Sequence, residues 1–226
     1  MSRRTELLIR NYILTRRVAL LFMSIICLMG FVFGVIAINT VEPGYKEELS
    51  GFWAGFLESP AVTRGNTAFL RSLMYNIVFT TLLIWVLGLT IIGSPLIVLI
   101  VFLRGFVLGF TGGFIVQQMS WRGILFSLGT IGPHNLLIIP VIILVATSSV
   151  TFSLAALKML ISKDRSTMFP QFVLNLLHLL VGCAFLVLGA LVEAHLTPVI
   201  MEGLSSWLAS VDFETTAIGK VLLWLR

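Results

Sequence analysis

Residues 95–140 read PLIVLIVFLRGFVLGFTGGFIVQQMSWRGILFSLGTIGPHNLLIIP. The stretch opens as an apolar run able to cross a bilayer, then departs from what a plain lipid-facing helix needs. Gly105, Gly109 and Gly113 recur at every fourth position, which puts them on one helix face. Small residues on one face let a second helix backbone come close in lipid. Arg104 stands beside them, well inside the run. After Gln117 and Gln118 the pattern breaks, and Pro133, His134, Asn135 and Pro140 follow. This is the expected packed centre of a membrane protein. Its glycine face lies against another helix, of the same chain or of a second copy.

Composition fixes the class around that centre. Hydrophobic residues make up 58% of the chain and charged residues 11%, with a mean hydropathy of +1.05. Soluble domains do not look like this. Several apolar runs are long enough for helices across about 30 Å of hydrocarbon. Turn-separated alternating strands are absent, so an all-α polytopic bundle is expected rather than a β-barrel. The net charge is +5. Arg3, Arg4, Arg10, Arg16 and Arg17 precede the first apolar run and read as a topology signal, not a nucleic-acid surface. Cys27 and Cys183 fall inside apolar runs and read as small packing residues.

Five spans are expected in a single integral membrane domain, at about 18–38, 73–92, 95–116, 136–157 and 171–192. The basic arm places the N-terminus in the cytoplasm, and Lys158, Lys163 and Arg165 agree. The C-terminus then lies outside. The first span carries no small-x-small cleavage site after it and reads as an uncleaved helix with Gly30 and Gly34 as a packing face. Between spans one and two, Leu49, Phe52, Trp53, Phe56 and Leu57 form one helical stripe. It suits a membrane surface or a partner. Gly93-Ser94-Pro95 reads as the turn between spans two and three. Residues 117–135 read as re-entrant or interfacial. Residues 199–226 read as a separate amphipathic helix or helix pair.

No nucleophile, base and acid come together in the sequence, and the three histidines show no metal-ligand spacing. No cofactor is expected. Arg104 is the costly residue, at roughly 2.5–3.5 kcal/mol on the insertion scale, and should face the bundle. Equal depth from the inner ends points to Thr147, Ser148, Thr151 and His178 as its neighbours. Pro133, His134 and Asn135 read as a loop and helix cap, with Asn135 capping the fourth span. Pro140 falls in that span's first turns.

The runs at 85–93 (WVLGLTIIG), 103–114 (LRGFVLGFTGGF), 133–140 (PHNLLIIP), 146–154 (ATSSVTFSL) and 193–198 (EAHLTP) resemble the stage II sporulation protein M family of endospore-forming bacteria. The resemblance extends over most of the chain, from about 16 to 201. It implies a multi-pass protein of the mother-cell septal and engulfing membrane. It implies a non-enzymatic scaffold that places two wall-cleaving enzymes, stage II sporulation proteins D and P, during engulfment. The alternative from the residues themselves is a transporter or channel-like subunit, suggested by the broken 95–140 region and Arg104. A continuous polar cavity would distinguish it.

Overall fold

A bilayer offers no water to backbone amides and carbonyls, so long apolar runs close their hydrogen bonds internally as helices. The computed structural model describes residues 3–58, 66–90, 92–162 and 168–210, and among these there is no strand. Helix α1 spans Arg3–Thr40 and α2 spans Pro43–Glu58. Helix α3, Asn66–Leu73, continues through a π-helical stretch, Met74–Leu82, into α4, Leu83–Gly88. Then come α5, Gly93–Met119, α6, Trp121–Thr130, and α7, Gly132–Ser162. Helix α8, Met168–Leu191, passes through a second π-helical stretch, Val192–Leu196, into α9, Thr197–Ser210.

Five segments are long and apolar enough to cross a membrane: Arg16–Thr40, Phe69–Gly88, Gly93–Met119, Gly132–Leu160 and Phe169–Met201. Two boundaries differ from expectation for identifiable reasons. The turn between the second and third segments lies at 89–92. There the Leu89 and Thr90 amides bond the Val86 and Leu87 carbonyls at 3.1 and 3.0 Å. Gly93 and Pro95 open α5, where proline suits the first turn. Gly93 is required by crowding, since a Cβ there would sit 1.8 Å from the Leu87 carbonyl oxygen. The fifth segment does not stop at Glu193. The helix runs on to Ser210, so its first described tail residues are not a separate element.

Helix α7 is the axis. In its most apolar window 61% of residues are buried, against 28% in each of the other four segments. Met23, Ile84, Ile97, Ile138, Ile142, Val145 and Leu186 form the main core around it. The opposite faces carry Phe22, Leu28, Phe79 and Leu180, all exposed. Apolar surface on that scale suits lipid, not water.

A second, smaller core lies where α5 ends. Ser120 adopts φ 55° and ψ −143°, a region that glycine enters far more readily. The chain reverses there and lays α6 back against α5. Gly123 permits the contact, because a Cβ would lie 2.5 Å from the Ile115 carbonyl oxygen. Ile115, Met119 and Phe126 are buried together, with Ile131, Met201 and Leu204 packed on them. Gly129 faces Leu204 and Ile200. Residues 117–135 thus comprise the end of α5, the short helix α6 packed against α5, α7 and α9, and the first turn of α7. Together α6 and α9 form a platform on the end of the bundle opposite the 89–92 turn.

Candidate functional site

The glycines of the first and third spans meet each other. Cβ atoms built at Gly105 and Gly109 would lie 2.0 and 1.9 Å from the carbonyl oxygens of Cys27 and Phe31. Reciprocally, Cβ atoms at Gly30 and Gly34 would lie 2.1 Å from the carbonyl oxygens of Phe102 and Phe106. Gly113 continues the contact to Val35 and Ile38. Partners rise in number together along both helices, so α1 and α5 run parallel. The neighbour of the glycine face is therefore α1 of the same chain. Phe102, Phe106 and Phe110 stack along the seam, with centroids 6.4 and 6.1 Å apart. At its end Gln117 Nε2 donates to Asn39 Oδ1 at 2.6 Å.

Arg104 does not join the residues that equal depth assigned to it. Its Nη2 donates to Asn76 Oδ1 at 2.7 Å, and its guanidinium lies 5.2 Å from the Tyr75 ring centroid. Asn76 Nδ2 donates in turn to the Ser72 carbonyl and hydroxyl oxygens, at 3.0 and 3.2 Å. The Ser72 hydroxyl donates to the Glu193 carboxylate. A cation deep in α5 is thus linked to Glu193, in the second π-helical stretch, through Asn76 and Ser72 of the second membrane span. The long guanidinium turns to Asn76, whose side-chain carbonyl oxygen lies within its reach. The π-helical winding shows locally as Thr80 and Thr81 hydroxyls donating to Tyr75 and Asn76 carbonyls, five residues back. Wide turns of this kind recur at functional positions in helices.

His134 and Asn135 stand beside this clamp. The Thr197 hydroxyl lies 3.5 Å from His134 Nδ1. Asn135 is not the helix cap expected. Its Nδ2 donates to the Ile131 carbonyl at 2.9 Å and to His134 Nε2 at 2.8 Å, while α7 already begins at Gly132. Pro133 occupies the first turn of α7, and Pro140 lies inside that helix. The clamp therefore sits directly under the platform, where the second π-helical stretch passes into α9.

Thr147, Ser148 and His178 gather at the other end of the molecule. Arg16 Nη2 donates to Ser148 Oγ at 3.2 Å. Thr151 Oγ1 turns back to the Thr147 and Ser148 carbonyls, and His178 Nδ1 to the Leu174 carbonyl. Neighbouring Ser149 packs on Gly88 and lies 3.4 Å from Asn175 Oδ1, and Ser153 donates to the Thr90 carbonyl at 2.8 Å. These contacts fix the cluster beside the 89–92 turn. The arginine it receives is Arg16, not Arg104. The backbone of α2 carries Phe52, Trp53 and Phe56, whose side chains lie outside the described residues, as does the tail beyond Ser210.

Sequence reasoning passed over Ser72, Asn76 and Glu193 as a set. The signal was present: Ser72, Asn76 and Thr80 recur every fourth residue in a largely apolar span, and all three are buried. Among the described residues no three His, Cys, Asp or Glu side chains come together so as to hold a metal ion.

Five membrane-length helices, pinned by a glycine seam and a polar clamp and topped by two short packed helices, define a polytopic helical membrane protein. The family model for stage II sporulation protein M matches residues 22–198, and the chain belongs to that family. It is thus a sporulation membrane protein, of a family not known for enzymes. The matched region contains the glycine seam, the whole clamp and α6. No curated protein and no solved structure matches the chain.

Proposed function

We propose that the chain is a membrane scaffold that recruits and positions peptidoglycan hydrolases during forespore engulfment. The partners on this reading are stage II sporulation proteins D and P. The chain would sit in the mother-cell septal and engulfing membrane among its lipids, with the N-terminus in the cytoplasm and the C-terminus on the wall side. The observation that carries the reading is the platform. Helices α6 and α9 share an apolar core of their own at the end of the bundle to which α1 delivers α2. The clamp ties that end to the membrane core through Arg104, Asn76, Ser72 and Glu193. A rigid, helix-covered end is what a partner with its working domain on that side requires.

A transporter needs a polar path. The cavity beside the platform, about 620 Å³, is walled mainly by apolar residues such as Phe31, Leu108 and Ile139. A second cavity near the turn, about 480 Å³, shares no lining residue with it. This favours the scaffold. Photocrosslinkers placed singly along 45–58 and 200–210 in the full-length chain test the reading in membranes that also contain the two hydrolases. Adducts with either hydrolase are expected. Adducts with neither, or peptidoglycan cleavage by the purified chain alone, would overturn it.

A further inference from the structure

We infer that the cleft between the second and third spans, with Arg104 at its base, docks a transmembrane helix of another protein that carries a carboxylate at mid-bilayer depth. Near the 89–92 turn the two spans pack on each other through α4 and α5. Further from the turn they part: Met74–Leu82 and α3 lean on α7 and α8, while α5 stays against α1. Arg104 bridges the opening to Asn76. Exposed side chains border it, Tyr75 and Phe79 on the second span and Leu103 and Val107, which flank Arg104, on the third.

The first reason is an incomplete set of hydrogen bonds. A guanidinium has five N–H donors. Arg104 gives one bond, from Nη2 to Asn76 Oδ1, and lies beside the Tyr75 ring; among the described residues no second acceptor meets it. Glu193 is joined to it only through Asn76 and Ser72. The second reason is exposure. Arg104 is partly exposed and Tyr75 half exposed, so the pair reaches the flank of the bundle. An ionisable side chain at membrane depth is costly and calls for a partner group, not lipid tails. The third reason is depth. Arg104 is eleven residues from Gly93 and fifteen from Met119, about 16 and 22 Å at helical rise. Lipid phosphates lie towards the ends of that span, so an acceptor at the level of Arg104 belongs to a helix. A second copy supplies no free carboxylate: of the five membrane-length segments only the fifth carries one, Glu193, and Ser72 holds it. A carboxylate from another chain completes a charge-assisted pair with the guanidinium. Which proteins the chain meets on the wall side does not bear on this site.

Energy transfer between the fluorescently labelled full-length chain and synthetic helices in dioleoyl phosphatidylcholine vesicles tests it. The helices are lysine-flanked leucine-alanine peptides of about 20 residues, one with a central glutamate and one with a central leucine. The glutamate helix should associate roughly tenfold more tightly. That preference should vanish in the Asn76→Val/Arg104→Leu variant, which leaves no cation stranded. Photocrosslinkers placed singly at Phe79 and Val107 of the otherwise native chain should capture the glutamate helix, and they decide the matter should the double variant not fold. Equal association of the two helices, or of neither, would overturn the inference, as would a preference that survives in the folded variant or a lack of adducts at both positions. Arg104-dependent energy transfer between two copies of the chain would assign the cleft to a second copy. Loss of the preference on adding dioleoyl phosphatidylglycerol would assign Arg104 to a lipid phosphate. Either result overturns the partner helix.

Discussion

Arg104 shows how one residue organises its surroundings in a medium that does not solvate it. Its charge is met by the Asn76 carbonyl oxygen and the Tyr75 ring, and the link passes on to Glu193. Removing only the acceptor strands the cation, whereas removing both partners does not. Asn76→Val should therefore lower stability by about 1–3 kcal/mol in detergent unfolding. The Asn76→Val/Arg104→Leu pair should recover most of that loss. A double variant no better than the single would mean that Arg104 is satisfied elsewhere. The sequence made the cost of Arg104 plain but pointed it to the wrong partners. Counting depth treats side chains as level pegs, while a guanidinium on a flexible stem follows the best acceptor it can reach. Ser148, left without Arg104, takes Arg16 from the first helix instead.

Among the elements, the pair α1 and α5 was the most legible. Glycines at every fourth position on both helices announced close contact, and the structure supplies it within one chain. Gly109→Leu drives side-chain atoms into the Phe31 carbonyl and should cost roughly 2 kcal/mol or more. Val107→Leu, on the exposed side of the same helix, should be nearly silent. Parallel thermal melts of the two variants check this, and similar midpoints would place the glycine face elsewhere. Less legible were features that depend on backbone geometry. The reversal at Ser120 carries no glycine or proline to announce it. The run of helix through Glu193 looked like an end because a carboxylate normally leaves the bilayer. Its hydrogen bond from Ser72, a residue of a different span, lets it stay.

On the scale of the whole molecule, apolar run lengths were enough to give the five spans, and the recurring motifs to suggest the family. What they could not show is that motifs far apart in the chain converge. The 103–114, 133–140 and 193–198 runs contribute Arg104, His134 and Asn135, and Glu193 and Thr197 to the region beneath the platform. On the scaffold reading that region fixes the end of the bundle where the partner docks, and the 45–58 stripe supplies aromatic contact. Interface energy concentrates in buried aromatic residues. The most direct measurement is recovery of co-expressed hydrolase with the affinity-tagged full-length chain from solubilised membranes. It is made for the native chain and for the Phe52→Ala/Trp53→Ala/Phe56→Ala variant at equal membrane levels. The native chain should bring down the hydrolase, and the variant should lose at least about tenfold of it. Recovery of hydrolase with neither protein would contradict the scaffold, and equal recovery with both would remove the aromatic stripe from the interface.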